Sequence, residues 1–197
     1  MLVEMTAREQ HFPERERLRE IIKNRSFKEG NFTLSSGKKS DVFFNLKPTM
    51  LDPEGINLLA DQVLDRIKGY KADYIGGLAL GAVPVLVSVI LKSHNTPHPI
   101  KGFWVRKEQK HHGMQQLIDG DLEPDSKVVI VDDVTTTGQS VLRAVEEAQE
   151  RGCTISCVLT VIDRCEGAKE TLKDAGYALI SLFDRYDFTD KKPDEID

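Results

Sequence analysis

Residues 127–145 read KVVIVDDVTTTGQSVLRAV, and the fold turns on how this stretch divides. Residues 127–131 read as a strand: after Lys127, residues 128–131 are all β-branched and apolar, the composition of a strand buried on both faces. Residues 139–151 carry the spacing of an amphipathic helix. Between them stand two adjacent carboxylates, Asp132 and Asp133, then Thr135, Thr136, Thr137 and Gly138. A strand passing through such a turn into a helix is the unit of a parallel α/β sheet, and ligands of these sheets sit at the carboxyl ends of the strands. Backbone N–H groups of the turn and the free amides of the first helical turn favour an anion there, and the hydroxyls of Thr135, Thr136, Thr137 and Ser140 add donors.

Carboxylates beside a phosphate cup repel the phosphate unless the ligand also offers something they attract. Asp132 and Asp133 accept hydrogen bonds from vicinal hydroxyls and attract Mg²⁺. The ligand therefore carries a diol, a metal or both, close to a phosphate; a ribose 5-phosphate unit meets that description. Two other phosphate sites fail: residues 132–140 lack the Gly-Lys-Ser/Thr ending of a nucleoside-triphosphate loop, and Gly138 alone does not make a dinucleotide fingerprint. The plain alternative is that the pair merely ends a strand or caps a helix. The Thr-Thr-Thr-Gly that follows directly favours binding.

Working outward, residues 13–25 predict an N-terminal helix with Leu18, Ile21 and Ile22 on its packed face. FTLSSGKKSDVFFNLK (32–47) predicts a hairpin around Ser35-Ser36-Gly37. After Asp52-Pro53, residues 54–69 predict a helix closed by Gly69. Strands are expected from Tyr74 to the Gly76-Gly77 break and over 100–105, 127–131, 154–162 and 177–183; helices over 82–92, 139–151 and 167–174. Residues 106–121 look like a loop. The alternation predicts an α/β fold: a central, mainly parallel sheet flanked by helices. One domain covers 1–197, with an N-terminal helix and hood over 1–50, a core over 51–185 and a tail over 186–197.

With 40% hydrophobic and 30% charged residues and a net charge of -5, the chain is a soluble type without general attraction for nucleic acid or anionic membrane. No window approaches the length of a membrane span, and the N-terminus lacks the apolar core of a secretory signal. Cys153, Cys157 and Cys165 have neither disulfide-framework nor zinc spacing, which fits a reducing cytoplasm. Cys157 is expected to be a buried strand residue.

Two further segments concern the ligand. GGLALGAVP (76–84) is a second strand-to-helix turn with three glycines and no acid, suited either to a second phosphoryl group or to close packing of helix on sheet. RKEQKHHGMQQLIDGD (106–121) gathers Arg106, Lys107, Lys110, His111 and His112 in an otherwise acidic chain, the makeup of a mobile basic lid; beside a phosphate site it points to pyrophosphate. No Ser-His-Asp or Cys-His arrangement suggests a covalent nucleophile.

VVIVDDVTTTG resembles the phosphoribosyl pyrophosphate (PRPP) motif of the type I phosphoribosyltransferases. RKEQKHHG is similar to the basic loop of the orotate phosphoribosyltransferases in particular, and FTLSSGKKSDVFFN to their N-terminal segment. With Asp163-Arg164 at a later strand end, the resemblance spans about 32–183. It implies that Asp132 and Asp133 bind the ribose hydroxyls of PRPP, and that Val134, Thr135, Thr136, Thr137, Gly138, Gln139 and Ser140 surround its 5-phosphate. It implies further that Arg106, Lys107, Lys110 and His112 contact the pyrophosphate, with Lys107, Lys110, Asp132 and Asp133 the catalytic set. Orotate is expected against the backbone near Phe43 and Phe44, with Thr136 and Arg164 at its polar edge. The family pattern implies a homodimer in which Lys107 serves its own subunit while Arg106, Lys110 and His112 reach the neighbour. Mg²⁺ is expected to be held mainly through PRPP and pyrophosphate, without a protein metal site of its own. The implied reaction converts orotate and PRPP to orotidine 5′-monophosphate and pyrophosphate. The chain departs from the pattern at Ser35 and at Leu80-Gly81, where many members carry lysine and an aromatic-lysine pair.

Purine and uracil phosphoribosyltransferases share the PRPP motif but not RKEQKHHG or FTLSSG. A PRPP-sensing regulator calls for a basic nucleic-acid face, which the acidic composition does not supply. An orotate-like transferase redirected to another heterocyclic acid remains the third alternative.

Overall fold

The computed structural model describes residues 12–33, 39–108 and 117–190. In chain order the elements are α1 (Phe12–Arg25), β1 (Phe27–Thr33), β2 (Lys39–Phe44), α2 (Lys47–Met50), α3 (Pro53–Ile67), β3 (Tyr74–Gly76), α4 (Ala82–Ser93), β4 (Lys101–Gly102), β5 (Trp104–Val105), β6 (Ile118–Asp119), β7 (Lys127–Thr135), α5 (Gln139–Glu150), β8 (Thr154–Asp163), α6 (Ala168–Asp174) and β9 (Leu179–Asp184). Single 3-10 turns follow α3 and β9, over Lys68–Tyr70 and Arg185–Asp187.

Five strands form the central sheet in the order β4-β3-β7-β8-β9, every neighbouring pair parallel. The expected α/β architecture is therefore present, with β7 in the middle. Alternation along β7 divides the core in two, because successive strand side chains face opposite sides of a sheet. Val129 and Val131 join Leu18, Leu59, Val85 and Leu86 under α1, α3 and α4. Val128 and Ile130 join Val141, Val145 and Leu172 under α5 and α6. All four strand residues are 0% exposed, so cutting Ile130 to alanine would cost about 2–5 kcal/mol of stability.

α3 starts where Asp52 Oδ1 accepts hydrogen bonds from the Glu54 and Gly55 backbone N–H groups, at 3.1 and 3.0 Å, with Pro53 in the first turn. α1 packs through Leu18, Ile21 and Ile22 as expected, and Cys157 is buried in β8. β1 and β2 pair antiparallel as the hood, and the predicted turn at Ser35-Ser36-Gly37 lies outside the described residues.

Three expectations are corrected. β7 continues through Asp132 and Asp133 to Thr135, because β8 pairs with it as far as Thr135↔Asp163; the polar residues are carried as strand by their neighbour. The strand expected over 100–105 divides at Phe103: Gly102 pairs with β3, and Trp104 pairs with Asp119 of β6. Part of the expected loop is thus the strand β6. α3 ends at Ile67, and Gly69 lies inside the 3-10 turn. Within the segment assigned as the tail, Phe188 is buried against Phe27, Phe44 and Phe183; residues 191–197 lie outside the described part.

Candidate active site

The site is built where the middle of the sheet ends. Asp132 and Asp133 lie in the carboxyl-terminal half of β7, close enough for their side chains to act on one another. Asp132 is 7% exposed. Its Oδ1 accepts from the Asp133 backbone N–H at 3.1 Å, and its Oδ2 accepts a long hydrogen bond of 3.4 Å from the Thr135 hydroxyl. Burial, and secondly the charge of Asp133, push the Asp132 carboxyl up to about 8. Burial also raises Asp133, against the pull of the Val134 and Asp133 backbone N–H groups, the Asp132 side chain and the ammonium of Lys47. Two carboxylates are thus kept together in a site that disfavours their charge, the arrangement found where a ligand completes the electrostatics.

Asp133 faces the second glycine turn. A β-carbon on Gly81 would lie 2.3 Å from Asp133 Oδ1, so with the carboxylate in this orientation glycine is what lets the turn come so close. The departure at Gly81 is therefore matched to the position of Asp133, and the ammonium of Lys47, at the start of α2, acts on the same group. Of the other glycines in that turn, Gly76 lies on the Phe103 ring and Gly77 on the Val131 carbonyl. The packing alternative fits Gly77, which sits between the Val131 carbonyl of the sheet and Ala82 of α4, while Gly81 borders the carboxylate pair.

α5 begins just beyond. Gly138 is its N-cap at φ +84°, with no side-chain cap, so first-turn N–H groups stay available to an anion. Thr137, Gln139 and Ser140 are exposed around it and Thr136 is half-buried. Thr135 is corrected here: its hydroxyl is buried, 2.9 Å from Thr160 Oγ1, and serves the core and Asp132 rather than the cup. Val134 packs against the core.

The basic segment rises beside the glycine turn. The Val105 backbone N–H donates to Gly77 O at 2.9 Å and the Ala79 N–H donates to Val105 O at 2.7 Å. β5 and β6 form the base of an arm whose strands are joined again by Arg106 N–H to Leu117 O at 2.8 Å. Asp119 Oδ2 accepts from both Trp104 Nε1, at 3.0 Å, and Arg106 Nε. Arg106 is thereby held at the arm's base, and Lys107 is exposed just above it. Lys110 and His112 lie outside the described residues, as do Ser35 and Lys38.

Arg164 joins the hood to the sheet. Its backbone N–H donates to Thr135 O at 3.0 Å, and its Nη2 donates to Ser40 Oγ at 3.0 Å and pairs with Glu166 Oε1 at 2.6 Å. β2 carries Phe43 outward against Phe32, while Phe44 turns into the core against Phe27 and Phe188. Phe44 can therefore offer a ligand its backbone, not its ring. A cavity of about 390 Å³ lies at the hood, lined by Asn31, Phe32, Thr33, Lys39, Ser40 and Asp41. Asp41 also accepts from Arg185 Nη2 at 2.7 Å, a second tie between hood and core.

The fold thus gathers the β7 tip, the glycine turn, the start of α5 and the arm's base. Arg164 links the same strand end to the hood. Lys47, Ser40, Glu166 and Asp119 were not singled out from sequence: each acquires its role through a partner distant in the chain or through a turn that only the fold positions. Among the described residues no group of three or more His, Cys, Asp or Glu side chains is placed to hold a metal ion.

Residues 48–181 match the family model of the phosphoribosyl transferase domain. An orotate phosphoribosyltransferase of Rhodopseudomonas palustris is 47% identical over 181 residues, covering 90% of this chain and 97% of that protein. One from Aquifex aeolicus is 43% identical over 173 residues, covering 86% and 94%. Among solved structures, orotate phosphoribosyltransferase of Mycobacterium tuberculosis in complex with PRPP aligns with a TM-score of 0.75 at 31% identity, over 89% of this chain and 99% of that one. The same enzyme in complex with Fe(III) dicitrate aligns with a TM-score of 0.78 at 35% identity, over 89% and 99%. The family model over residues 48–181 and the 47% identity spanning 90% of the chain show that this chain, with its carboxylate pair at the central strand tip and the uncapped helix behind it, belongs to the orotate phosphoribosyltransferase family.

Proposed function

We propose that this chain transfers the 5-phosphoribosyl group of PRPP to orotate, forming orotidine 5′-monophosphate and pyrophosphate with inversion at the anomeric carbon, a step toward pyrimidine nucleotides. The observation that carries the reading is the meeting of Asp133 with Gly81 beside the uncapped start of α5. It sets a carboxylate for hydroxyls, a close backbone approach and an anion cup within the reach of one sugar phosphate.

Breaking the bond to the pyrophosphate oxygen leaves positive charge on the ribose ring and negative charge on the departing oxygen. Asp132 and Asp133 hold the ribose hydroxyls and face the developing cation; burial alone disfavours their charge, and the growing positive charge on the ring favours the ionised form, where a buried carboxylate is worth far more than one in water. Thr136, Thr137, Gly138, Gln139 and Ser140 bind the 5-phosphate. Arg106, Lys107, Lys110 and His112 neutralise the leaving pyrophosphate as the arm closes and excludes water. Orotate lies on the β2 backbone at Phe43 and Phe44, its polar edge toward Thr136 and Arg164. The hard oxygens of Asp132 and Asp133 fit Mg²⁺ as outer partners. Bound mainly through pyrophosphate oxygens, that ion would offset charge on the leaving group.

A homodimer fits the outer stripe of α4 and its preceding turn, where Leu80, Val87 and Leu91 are 70%, 51% and 75% exposed. A second copy covering this stripe would stand beside the turn that borders Asp133. Cys153, Cys157 and Cys165 are all free thiols, in keeping with a cytoplasmic setting. No helix among the described residues is long and apolar enough to cross a membrane.

The test is a Mg²⁺-dependent assay with PRPP in which orotate, uracil, hypoxanthine and guanine compete as acceptors. Consumption of orotate alone is expected. Turnover of a purine with orotate untouched would reject the assignment.

A further inference from the structure

We propose that Glu166 is a resident counter-ion of Arg164 that an anionic base displaces, which makes Glu166 a specificity-determining residue of the base subsite. The inference rests on the orotate reading above.

Arg164 is 5% exposed, and one nitrogen, Nη2, makes both of its side-chain contacts among the described residues: to Glu166 Oε1 at 2.6 Å and to Ser40 Oγ at 3.0 Å. Its Nε is buried with no acceptor among the described residues. Arginine and carboxylate pair best in a two-toothed fork; here the carboxylate engages one tooth and leaves a buried donor unmet, which is unfavourable. The resting pair is consequently weaker than the guanidinium can support. A ligand presenting two acceptor oxygens to the fork recovers what Glu166 leaves unused. Glu166 lies at the head of the turn into α6, where Gly167 stands at φ +102°, and its side chain is 25% exposed. That placement lets the carboxylate move to solvent while Arg164 stays fixed by Ser40 and by its own backbone bond to Thr135 O.

Such a counter-ion disfavours any base without negative charge, because exchanging Glu166 for a neutral acceptor gives up an ion pair and gains only a neutral hydrogen bond. An anion makes the exchange charge for charge. Glu166 thereby discriminates orotate from uracil without touching either.

The experiment compares wild type, Glu166→Gln and Glu166→Asp in steady-state kinetics at saturating PRPP, with uracil as a competing neutral base. In Glu166→Gln the KM for orotate should fall about five-fold and the inhibition constant of uracil by a larger factor, with kcat within about two-fold. Glu166→Asp, which keeps the charge on a shorter arm, should lie between the two. A Glu166→Gln KM that is unchanged or higher overturns the inference and makes Glu166 an orienting partner of Arg164. Wild type that ignores orotate overturns the proposed function first, and this inference with it.

Discussion

In the proposed reaction the tip of β7 and the basic arm would both present charge to the same ligand, and they are built in opposite ways. Asp132 and Asp133 are fixed in the centre of the sheet, with Val128 to Val131 buried beneath them and Thr135, Thr160 and Gly81 packed around them. Among the described residues the arm is held by the short β5–β6 ladder and by Asp119, and Lys107 is exposed to solvent. The difference teaches where each kind of charge belongs. Carboxylates that must face a transient ring cation are useful only if held in place beforehand, even though burial disfavours their ionised form. Cations that meet a substrate already rich in negative charge gain from being mobile, since they must open to admit it and release pyrophosphate.

Substitution at the rigid tip should give the largest effect. Asp133→Asn keeps size and shape but removes the charge, and kcat should drop about 10³-fold with folding intact; steady-state rates and a melting curve measure both. A drop of similar size with loss of fold would contradict a purely electrostatic role. On the arm, Lys107→Ala should reduce kcat about 10²-fold with an unchanged melting temperature, since the side chain is exposed and its role belongs to the transition state. Loosening the arm's base sharpens the contrast further. Asp119→Asn weakens the hold on Arg106 and Trp104, and the KM for PRPP should rise about three-fold while kcat changes less.

The smallest effect is thermal and opposite in direction. The Asp132 carboxyl is raised in the fold from 3.8 to about 8. A group bound more tightly to its proton in the folded state stabilises most below the unfolded value, and that contribution is lost as pH rises through the folded one. Asp132→Asn should therefore melt a few degrees above wild type at pH 8, at about 2–4 °C per kcal/mol, with the gap closing toward pH 4. The same variant should be nearly inactive. A Lys107→Ala melting curve should show no such pH-dependent gap.

This contrast also explains what the sequence made legible. β7 and α5 could be read because their apolar periods are local, and the Asp-Asp-Val-Thr-Thr-Thr-Gly stretch announced an anion cup beside carboxylates without any partner. The extension of β7 to Thr135 was hidden, because it depends on β8 supplying a paired edge to residues of low strand preference. The division at Phe103 was hidden because it follows from the ring filling the space over Gly76, a contact across 27 residues of chain. Thr135 was read as a ligand donor from its type; which way its hydroxyl turns is decided by Thr160, 25 residues later. Ser40 and Arg164 are separated by 124 residues, so no local pattern could join them.

The central claim is that the paired carboxylates at the β7 tip grip the ribose of PRPP. A crystal structure of the chain soaked with PRPP and Mg²⁺ tests it most directly. The account predicts ribose hydroxyl oxygens about 2.6–3.2 Å from carboxylate oxygens of Asp132 or Asp133, with the 5-phosphate against the first turn of α5. A ribose bound elsewhere, with both aspartates still turned to Thr135 and Gly81, would contradict it.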